Sequence, residues 1–268
     1  MEIIIIDDCS IDNSTEILKL YQKEDDRIIV INHESNEGKI KTRTEGIKMA
    51  RGKYIIILDG DDSFIHKDIL YNSLYIANLA DLDIVEFHLL YFINDTYKFK
   101  TNDFKINKII YQPELRTKFF VIKKESFFRP IISRNIAGKI IKSKIFKKVI
   151  NNIGSKYTDD YISRYEDTIM TVSLYQIAQS YYLMNEPGYY YSGSEKKNFY
   201  PNVKERKCKN NKNLIKDMNE IKFLKFLLEK TKNNLIERQV IYHEIISINH
   251  YKKIVDSISI FILSSFLF

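Results

Sequence analysis

Short runs of β-branched residues alternate with helix-forming segments in the first third of the chain. Strands are predicted over Glu2–Ile6, Ile28–Ile31, Tyr54–Leu58 and Ile84–Phe87. Helices are predicted from about Asp12–Ser14 onward, over Lys41–Arg51, and around Leu70, Leu74 and Ala77. Continuous apolar strands separated by helices are typical of a parallel sheet that helices cover on both faces. We therefore predict an α/β fold with three layers.

Acidic residues follow two of these predicted strands directly. Asp7 and Asp8 come after the first strand, and Asp59-Gly60-Asp61-Asp62 comes after the third. In parallel α/β sheets, ligands bind beyond the carboxyl ends of the strands. Two carboxylates spaced like Asp59 and Asp61 can share one Mg²⁺ or Mn²⁺ that also binds phosphate oxygens. The alternative is a solvated Asp-Gly turn followed by a helix cap.

Charge and cysteine content narrow the class of protein. The 42 Lys and Arg residues exceed the 35 Asp and Glu residues by 7, which permits phosphates, nucleic acid or an anionic membrane as partners. The basic residues are dispersed and form no recognition motif, so we expect no nucleic-acid partner. Cys9 and Cys208 lack metal-ligand spacing, and a reducing, cytoplasmic compartment is the simplest interpretation.

The second half of the chain gives weaker signals. Helices are predicted over Lys142–Asn151 and Asp167–Ala178, and strands over Ser180–Met184 and Tyr189–Tyr191, on either side of a Pro187-Gly188 turn. The segment Phe92–Arg129 receives no assignment. From Lys204 onward the sequence is basic, with apolar residues close to helical spacing. We therefore divide the chain into a domain over residues 1–200 and a basic helical extension over residues 201–268.

Several motifs occur in an order that resembles the family 2 glycosyltransferases of the GT-A fold. The run that ends in Asp7-Asp8-Cys9-Ser10-Ile11-Asp12 resembles the second-strand signature of that family. Asn36-x-Gly38 with Arg43 and Gly46 is similar to the next block. Asp59-Gly60-Asp61 falls where the family carries its Asp-x-Asp motif, and Glu166-Asp167 resembles the pair that supplies the catalytic base. Asn135-Ile-Ala-Gly138-Lys139 resembles the block before a later helix. The resemblance covers residues 2 to about 192.

This resemblance implies roles for individual residues. Asp7 or Asp8, with Asp8 favoured, would accept a hydrogen bond from the donor's base, and Arg43 would lie near the base or the diphosphate. Asp59 would meet the ribose or the metal, Asp61 would be the direct metal ligand, and Lys139 would approach a phosphate. Asp167, with Glu166 beside it, would take the proton of the acceptor hydroxyl. Structural roles are the alternative for these residues. The acids would also be favourable at the end of a strand or at the N-terminus of a helix, and Arg43 would also be at home on a solvated helix surface.

The resemblance also implies a reaction. We expect a GT-A fold, a three-layer α/β/α sandwich, and inverting, metal-dependent transfer of one sugar from a nucleotide-diphospho-sugar, with UDP-sugars favoured. Mn²⁺ or Mg²⁺ would be the cofactor. The acceptor would be a hydroxyl of a cell-surface glycan or a lipid-linked saccharide, in polysaccharide biosynthesis for the cell envelope. The Gln-x-x-Arg-Trp motif of processive synthases is absent, because the sequence has no Trp.

The N-terminus departs from the family pattern, and the C-terminal region bears on location. Members of the family normally begin one strand and one helix earlier, so we expect the central strand of the sheet to be missing and this polypeptide alone to be inactive or poorly stable. A truncated, catalytically inactive module that binds a partner is therefore the alternative function. The basic extension and the apolar segment Ile254–Phe268 leave open a peripheral contact with the inner face of the cell membrane; a helical cover on the domain is the favoured interpretation.

Overall fold

The fold is known from a computed structural model, which describes residues 1–93, 96–100, 108–116, 135–159, 162 and 166–192. The predicted basic extension over residues 201–268 lies outside these ranges, as does Cys208. Its helical character and its membrane contact therefore stay predictions. Most of the segment Phe92–Arg129 also falls outside them.

The elements follow the predicted alternation closely up to residue 93. The N-terminal part contains β1 (Ile3–Asp7), α1 (Ser14–Glu24), β2 (Ile28–Asn32), α2 (Lys39–Met49), β3 (Tyr54–Ile56), β4 (Ser63–Phe64), α3 (Ile69–Leu79) and β5 (Ile84–Ile93). The remainder contains β6 (Thr96–Lys100), β7 (Ile110–Tyr111), β8 (Lys139–Lys142), α4 (Ser143–Ile153), α5 (Ser155–Thr158), α6 (Glu166–Ile177) and β9 (Ser180–Tyr191). Strand β3 is shorter than predicted, because its ladder with β8 ends at the pair Ile56–Ile140.

The strands form two sheets, and the larger one is mixed. Strands β1 and β2 pair in parallel, from Ile3 opposite Ile28 to Asp7 opposite Asn32. Among the described residues, the larger sheet has the order β3-β8-β5-β9-β4, with β6 on β5 and β7 on β9. Strands β5 and β9 are parallel, but β8 runs antiparallel to both of its neighbours. The prediction of an all-parallel sheet was therefore wrong, because an unpredicted strand enters between β3 and β5.

Helices cover both faces of the larger sheet, and this confirms the three-layer prediction. Ile84 and Ile141 pack with the buried residues of α2, α4 and α6. Their chain neighbours Val85 and Ile140 pack on the opposite face with α3, next to Ile69. Successive strand residues point to opposite faces, so this alternation places one apolar core on each side of the sheet.

The predicted turn at Pro187-Gly188 is absent, and β9 runs without interruption from Ser180 to Tyr191. Its pairing with β5 shifts in register on either side of His88, which lies opposite Pro187. A proline is tolerated in a strand at such an irregularity, since it cannot donate to the ladder. Gly188 is required for close packing: a Cβ there would lie 2.4 Å from Cδ2 of Phe87 and 2.5 Å from Cγ1 of Ile69.

The β1–β2 pair is less buried than the larger sheet. Residues Ile3–Ile6 are half-buried, and α1 contributes no buried residue to any core. Within the described ranges, β1 pairs with β2 and β3 with β8, but β1 and β3 do not pair with each other. The carboxylate of Glu2 joins the two regions by accepting hydrogen bonds from the amides of Arg51 (2.7 Å) and Gly52 (2.9 Å). The expected missing strand stays a prediction.

Candidate functional site

Helix α2 begins at the edge of the β1–β2 pair, where the carboxylate of Asp8 fixes the two residues that precede the helix. The amides of Glu37 and Gly38 donate to Oδ1 and Oδ2 of Asp8, at 2.8 Å and 2.9 Å. Gly38 has a φ of 87°, a conformation that glycine adopts without steric cost. Asp8 therefore connects the end of β1 to the N-terminus of α2, whose unpaired amides favour a negative charge.

Asp7 and Asp8 differ in how much of the carboxylate faces solvent. Asp7 is buried, and its carboxylate accepts hydrogen bonds from the amide of Ser10 (3.0 Å) and the hydroxyl of Thr15 (2.5 Å). The side chain of Asp8 is 22% exposed. Burial raises the pKa of both carboxyls, but their hydrogen bonds outweigh this effect and leave each pKa below its usual value. Both are therefore carboxylates at neutral pH, and Asp8 is the more accessible of the two.

Arg43 joins two acidic motifs that are far apart in the sequence. Its guanidinium donates to Asp59 at 2.8 Å and to Asp167 at 2.5 Å, and it lies 3.9 Å from a carboxylate oxygen of Glu166. Only 8% of its side chain is exposed. Burial lowers the pKa of Arg43, but the charges of Asp167, Asp59 and Glu166 outweigh it and raise the pKa above its ordinary value. Arg43 is therefore a permanently charged bridge in the interior of the site.

The two acids at the start of α6 differ in burial. Glu166 is buried and pairs with Lys39 of α2 at 3.7 Å, whereas the side chain of Asp167 is 32% exposed. Lys39 and Arg43 are one helical turn apart, so α2 presents both cations to the N-terminus of α6. That terminus itself favours negative charge. The arrangement holds Asp167 at the surface of the site and Glu166 beneath it.

The acidic turn after β3 is tied to the end of β9. The hydroxyl of Tyr189 donates to Oδ2 of Asp62 at 2.7 Å and accepts from the amide of Asp59 at 3.2 Å. The amide of Ser192 donates to Oδ1 of Asp62 at 3.0 Å, and its hydroxyl donates to the carbonyl of Asp61. Burial raises the pKa of Asp62. Asp62 thus anchors the turn that presents Asp59 and Asp61.

Lys139 lies in the interior of the larger sheet. Its side chain has no exposed surface, and its ammonium contacts the carboxylate of Glu86 at 3.1 Å and the carbonyl of Asn135 at 2.5 Å. The hydroxyls of Tyr181 and Tyr175 donate to the same carboxylate, at 3.0 Å and 3.4 Å. Burial raises the pKa of Glu86 and lowers that of Lys139. The predicted contact of Lys139 with a phosphate stays a prediction, and these contacts give it a role in packing.

A pair of tyrosines lies near the acids of the site. The rings of Tyr91 and Tyr191 are 5.1 Å apart, and Tyr91 accepts a hydrogen bond from Asn135 at 2.9 Å. Burial is the main reason why the pKa of Tyr91 is raised to about 12, and the charges of Asp167 and Asp62 contribute to the increase. Tyr191 is 38% exposed, so the pair offers an aromatic surface beside the acidic cluster.

The candidate metal ligands form a set of two carboxylates. No group of three or more His, Cys, Asp or Glu side chains suited to a metal occurs within the part of the chain that the structure describes. Asp59 and Asp61 nevertheless fit Mg²⁺, which proteins commonly bind through one or two carboxylates together with substrate phosphates. In this structure the guanidinium of Arg43 forms an ion pair with the carboxylate of Asp59. The assignment of Asp61 as the direct metal ligand stays a prediction.

The structure brings most of the predicted site residues together around α2. Arg43, Asp59, Glu166 and Asp167 form one ion-pair cluster, and Asp8 lies at the N-terminus of the same helix. Asp7 lies beneath Asp8, and Lys139 belongs to a separate buried pair.

Sequence reasoning missed His33, Glu45 and Tyr189. His33 follows β2 directly, and parallel pairing of β1 and β2 puts it beside Asp8. This position was the available signal, because the ends of neighbouring parallel strands lie at one edge of the sheet. The contacts of Glu45 and Tyr189 depend on the rotation of a helix and on the register of a strand, and neither has a sequence signature.

Comparison with known sequences identifies the family. The sequence model for "Glycosyl transferase family 2" matches residues 1–141, which is more than half of the chain. The chain belongs to glycosyl transferase family 2. This assignment confirms the predicted resemblance, and the matched range contains the Asp8, Arg43 and Asp59–Asp62 motifs.

Several proteins of similar sequence are named as glycosyltransferases. An uncharacterized glycosyltransferase of Methanocaldococcus jannaschii is 36% identical over 147 residues, 55% of this chain and 47% of that protein. Glycosyltransferase GlyG of Streptococcus pneumoniae is 28% identical over 171 residues, 60% of this chain and 53% of that protein. A poly(ribitol-phosphate) beta-glucosyltransferase of Bacillus spizizenii is 28% identical over 142 residues, 43% of this chain and 22% of that protein. The chain therefore spans about half the length of the first two relatives and less than a quarter of the third.

Solved structures confirm the GT-A fold. Staphylococcus aureus TarS, residues 1–349 in complex with UDP-GlcNAc, superimposes with a TM-score of 0.60 at 17% identity, over 90% of this chain and 61% of that chain. TarS 1–349 without that ligand gives a TM-score of 0.58 at 18% identity, with 90% and 59% coverage. None of the described helices has the length and apolar character that crossing a membrane requires.

Proposed function

We propose that this family 2 protein transfers one sugar from a nucleotide-diphospho-sugar to a hydroxyl group, with inversion at the anomeric carbon and dependence on a divalent metal. The observation that carries the proposal is the Arg43 bridge. It brings the Asp-x-Asp motif after β3 and the acidic pair at the start of α6 to one point. Donor-binding and proton-accepting groups must lie within one substrate length of each other, and this contact supports that arrangement.

The donor would bind along the edge formed by β1, α2 and the acidic turn. Asp8 retains an accessible carboxylate oxygen for a base N–H, and it lies at the N-terminus of α2, a favourable place for negative charge. Asp59 would bind the ribose or contribute to the metal site. Arg43 would offset the charge of the diphosphate once donor contacts replace part of its bond to Asp59.

Asp61 and Asp59 would hold Mg²⁺ or Mn²⁺ together with phosphate oxygens of the donor. Such an ion stabilises the negative charge that develops on a departing diphosphate. The Asp62 contacts with Tyr189 and Ser192 support this role, because they fix the turn that carries both ligands.

Asp167 is the proposed general base. It would take the proton from the acceptor hydroxyl while that oxygen forms its bond to the anomeric carbon and the bond to the diphosphate oxygen breaks. Asp167 is more exposed than Glu166, and its hydrogen bond to Arg43 holds it at the surface of the site, within reach of an acceptor. Glu166 would hold Lys39 and Arg43 in position.

The acceptor class is inferred from the names of the relatives. The Bacillus spizizenii enzyme is named for poly(ribitol-phosphate), and TuaG of Bacillus subtilis, 43% identical over 63 residues, for teichuronic acid. We therefore propose a cell-envelope glycan or lipid-linked saccharide as the acceptor, and UDP-sugars as the first donors to test. A cytoplasmic location at the inner face of the membrane would suit such an acceptor.

A donor hydrolysis screen tests the proposal. The full chain would be incubated with UDP-, GDP- and CDP-sugars, with and without Mn²⁺, and release of the nucleoside diphosphate would be measured. We expect release from one nucleotide class with Mn²⁺, and at least a hundredfold less for Asp61→Ala, because the metal's charge stabilisation is worth several kcal/mol. The matched control, Asp26→Ala, removes an exposed acid in the turn before β2 and should leave the rate unchanged. Equal rates in the Asp61 variant would contradict the metal assignment.

A binding module without transfer activity is the second candidate. This function is favoured by the contacts of Arg43, which pairs with Asp59 and with Asp167 at the same time. A donor or a metal ion that binds either carboxylate must compete with these existing ion pairs. Nucleotide binding by calorimetry, with no release or transfer for any donor and metal, would favour this function over the first.

A further inference from the structure

His33 lies between two carboxylates that come from different elements. Its Nδ1 is 2.8 Å from Oδ1 of Asp8, which follows β1, and its Nε2 is 2.8 Å from Oε2 of Glu45 on α2. The side chain of His33 is 11% exposed, and its amide extends the strand ladder by donating to the carbonyl of Asp7 at 2.9 Å. The strand ladder therefore fixes the backbone of His33, and the contacts of both ring nitrogens fix its side chain.

Both contacts are satisfied only when the imidazole carries two protons. A neutral imidazole has one N–H and one lone pair, and the lone pair would face a carboxylate oxygen at 2.8 Å. The other charged groups around the ring are Asp7 beneath Asp8, and Glu37, which pairs with Lys41 of α2. Burial lowers the pKa of His33, but the hydrogen bonds and charges of Asp8 and Glu45 outweigh it, so the pKa is raised.

Among the residues that the structure describes, the donors to Asp8 leave one direction open. Oδ1 receives His33 Nδ1 and the amide of Glu37, whereas Oδ2 receives the amide of Gly38. An ionised carboxylate offers about four lone-pair positions, two on each oxygen. The position that remains is on Oδ2, and its direction is set by the three contacts that are already made.

We propose that His33 is the positioning residue for donor recognition: as an imidazolium it holds Asp8 so that the remaining lone pair of Oδ2 accepts a ring N–H of the donor's base. This inference rests on the proposed function. A carboxylate can only accept hydrogen bonds. This geometry therefore selects a base with a ring N–H, such as uracil. Cytosine is disfavoured, because its corresponding ring nitrogen is an acceptor. The ring of His33 does not itself touch the donor.

A pH series of nucleotide binding tests the inference. UDP, CDP and GDP would be titrated into the full chain, and into His33→Gln and His66→Gln variants, from about pH 5.5 to about pH 8.5, where histidine changes charge. Comparing variants at each pH cancels the titration of the nucleotide's own phosphate. We expect His33→Gln to bind UDP about tenfold more weakly at the acidic end, equivalent to one hydrogen bond to a charged group. Towards the alkaline end, the difference should shrink as His33 loses its proton.

A second variant separates positioning from a merely structural role. Glu45→Gln keeps the contact with Asp8 but removes one of the two carboxylates, so the pKa of His33, followed by NMR of its ring, should fall. The midpoint of the pH dependence of UDP binding should move with it. With a UDP-sugar that is turned over, His33→Gln should raise KM and leave kcat within about twofold. His66, before α3 and outside this cluster, is the matched histidine control, and its variant should bind like the wild type.

The outcomes distinguish the inference from the function on which it rests. Wild-type protein that binds UDP with the same affinity and pH dependence as His33→Gln overturns the positioning role alone. A Glu45→Gln variant whose NMR midpoint moves while its binding midpoint does not also overturns it. Wild-type protein that binds none of UDP, GDP and CDP overturns the proposed function, and the inference with it.

Discussion

The N-terminal unit, residues 2–38, and the larger sheet are held together by different interactions. The larger sheet has an apolar core on each face, and Glu86–Lys139 is the most deeply buried ion pair among its described residues. In the N-terminal unit the strands are half-buried, and α1 leaves Leu20 and Tyr21 more than half exposed. Here the carboxylates of Asp7 and Asp8 connect separate segments through hydrogen bonds with backbone amides, Thr15 and His33.

This difference has a functional consequence. Apolar burial is non-directional and gives the larger sheet its stability, whereas hydrogen bonds to carboxylates depend on pH and on ligands. Helix α2 belongs to both regions: Ile40 and Ile47 lie in the core, and Gly38 and Glu45 contact the Asp8 cluster. We expect donor binding to stabilise the N-terminal unit more than the larger sheet.

The largest effect on the larger sheet is expected from Lys139→Met. The substitution leaves the Glu86 carboxylate buried without its cation, and breaking such a pair costs about 4 kcal/mol in the free energy of unfolding. Urea denaturation measures it. The double variant Lys139→Met/Glu86→Gln should recover at least half of the loss, since both tyrosine hydroxyls can still donate to the amide oxygen. A loss below about 1 kcal/mol in the single variant would show that the pair is not desolvated.

Gly188→Ala should destabilise the same sheet by about 2 kcal/mol. The added methyl would overlap Phe87 and Ile69, and overpacking of a closed core costs this amount. Gly60→Ala is the matched control, because a Cβ at that position meets nothing within 4 Å. Equal stability of the two variants in urea would contradict the close approach of β9 to α3.

In the N-terminal unit, Asp8→Asn should reduce stability by about 1.5 kcal/mol, the value of hydrogen bonds to a charged group. The folded-state pKa of Asp8 is lowered, so its contribution is present above the unfolded pKa, near 4, and is lost as pH falls towards the folded value. Hydrogen exchange of residues 2–38 between about pH 3 and about pH 6 measures this loss. In the variant, the protection of these residues should depend less strongly on pH. Asp26→Asn is the control, and a wild-type unit whose protection is constant over that range would refute the linkage.

The smallest effect is expected from Glu2→Ala, at the junction of the two regions. Loss of the hydrogen bonds to the amides of Arg51 and Gly52 should cost about 1 kcal/mol. Exchange should accelerate in residues 2–38 and stay unchanged in β5 and β9, while the Glu24→Ala control leaves both unchanged. Faster exchange in β5 would mean that the two regions unfold as one unit.

Part of this structure could be predicted from the sequence. The alternation of apolar strands with helices up to residue 93 follows from periodicity, and acids placed at or shortly after the ends of β1 and β3 indicate the ligand-binding edge. Strand β8 could not be predicted, because two isoleucines between lysines do not reveal which strands they join. Lys139 had one usable signal, since Glu86 interrupts an apolar strand and requires a buried partner. The roles of Arg43 and Asp167 came from family resemblance, as their contact spans 124 positions of sequence.

Helix α2 also determines where the chain tolerates a change of length. Each residue added to an α-helix rotates everything after it by about 100°. A single insertion between Gly38 and Arg43 would therefore swing the guanidinium away from Asp59 and Asp167 while Asp8 still held the first turn. An insertion after α2, in the turn at Arg51–Lys53, would leave these contacts in place. In related chains with the same site, we therefore expect the number of residues between Gly38 and Arg43 to be constant, whereas the length of the turn after α2 can vary.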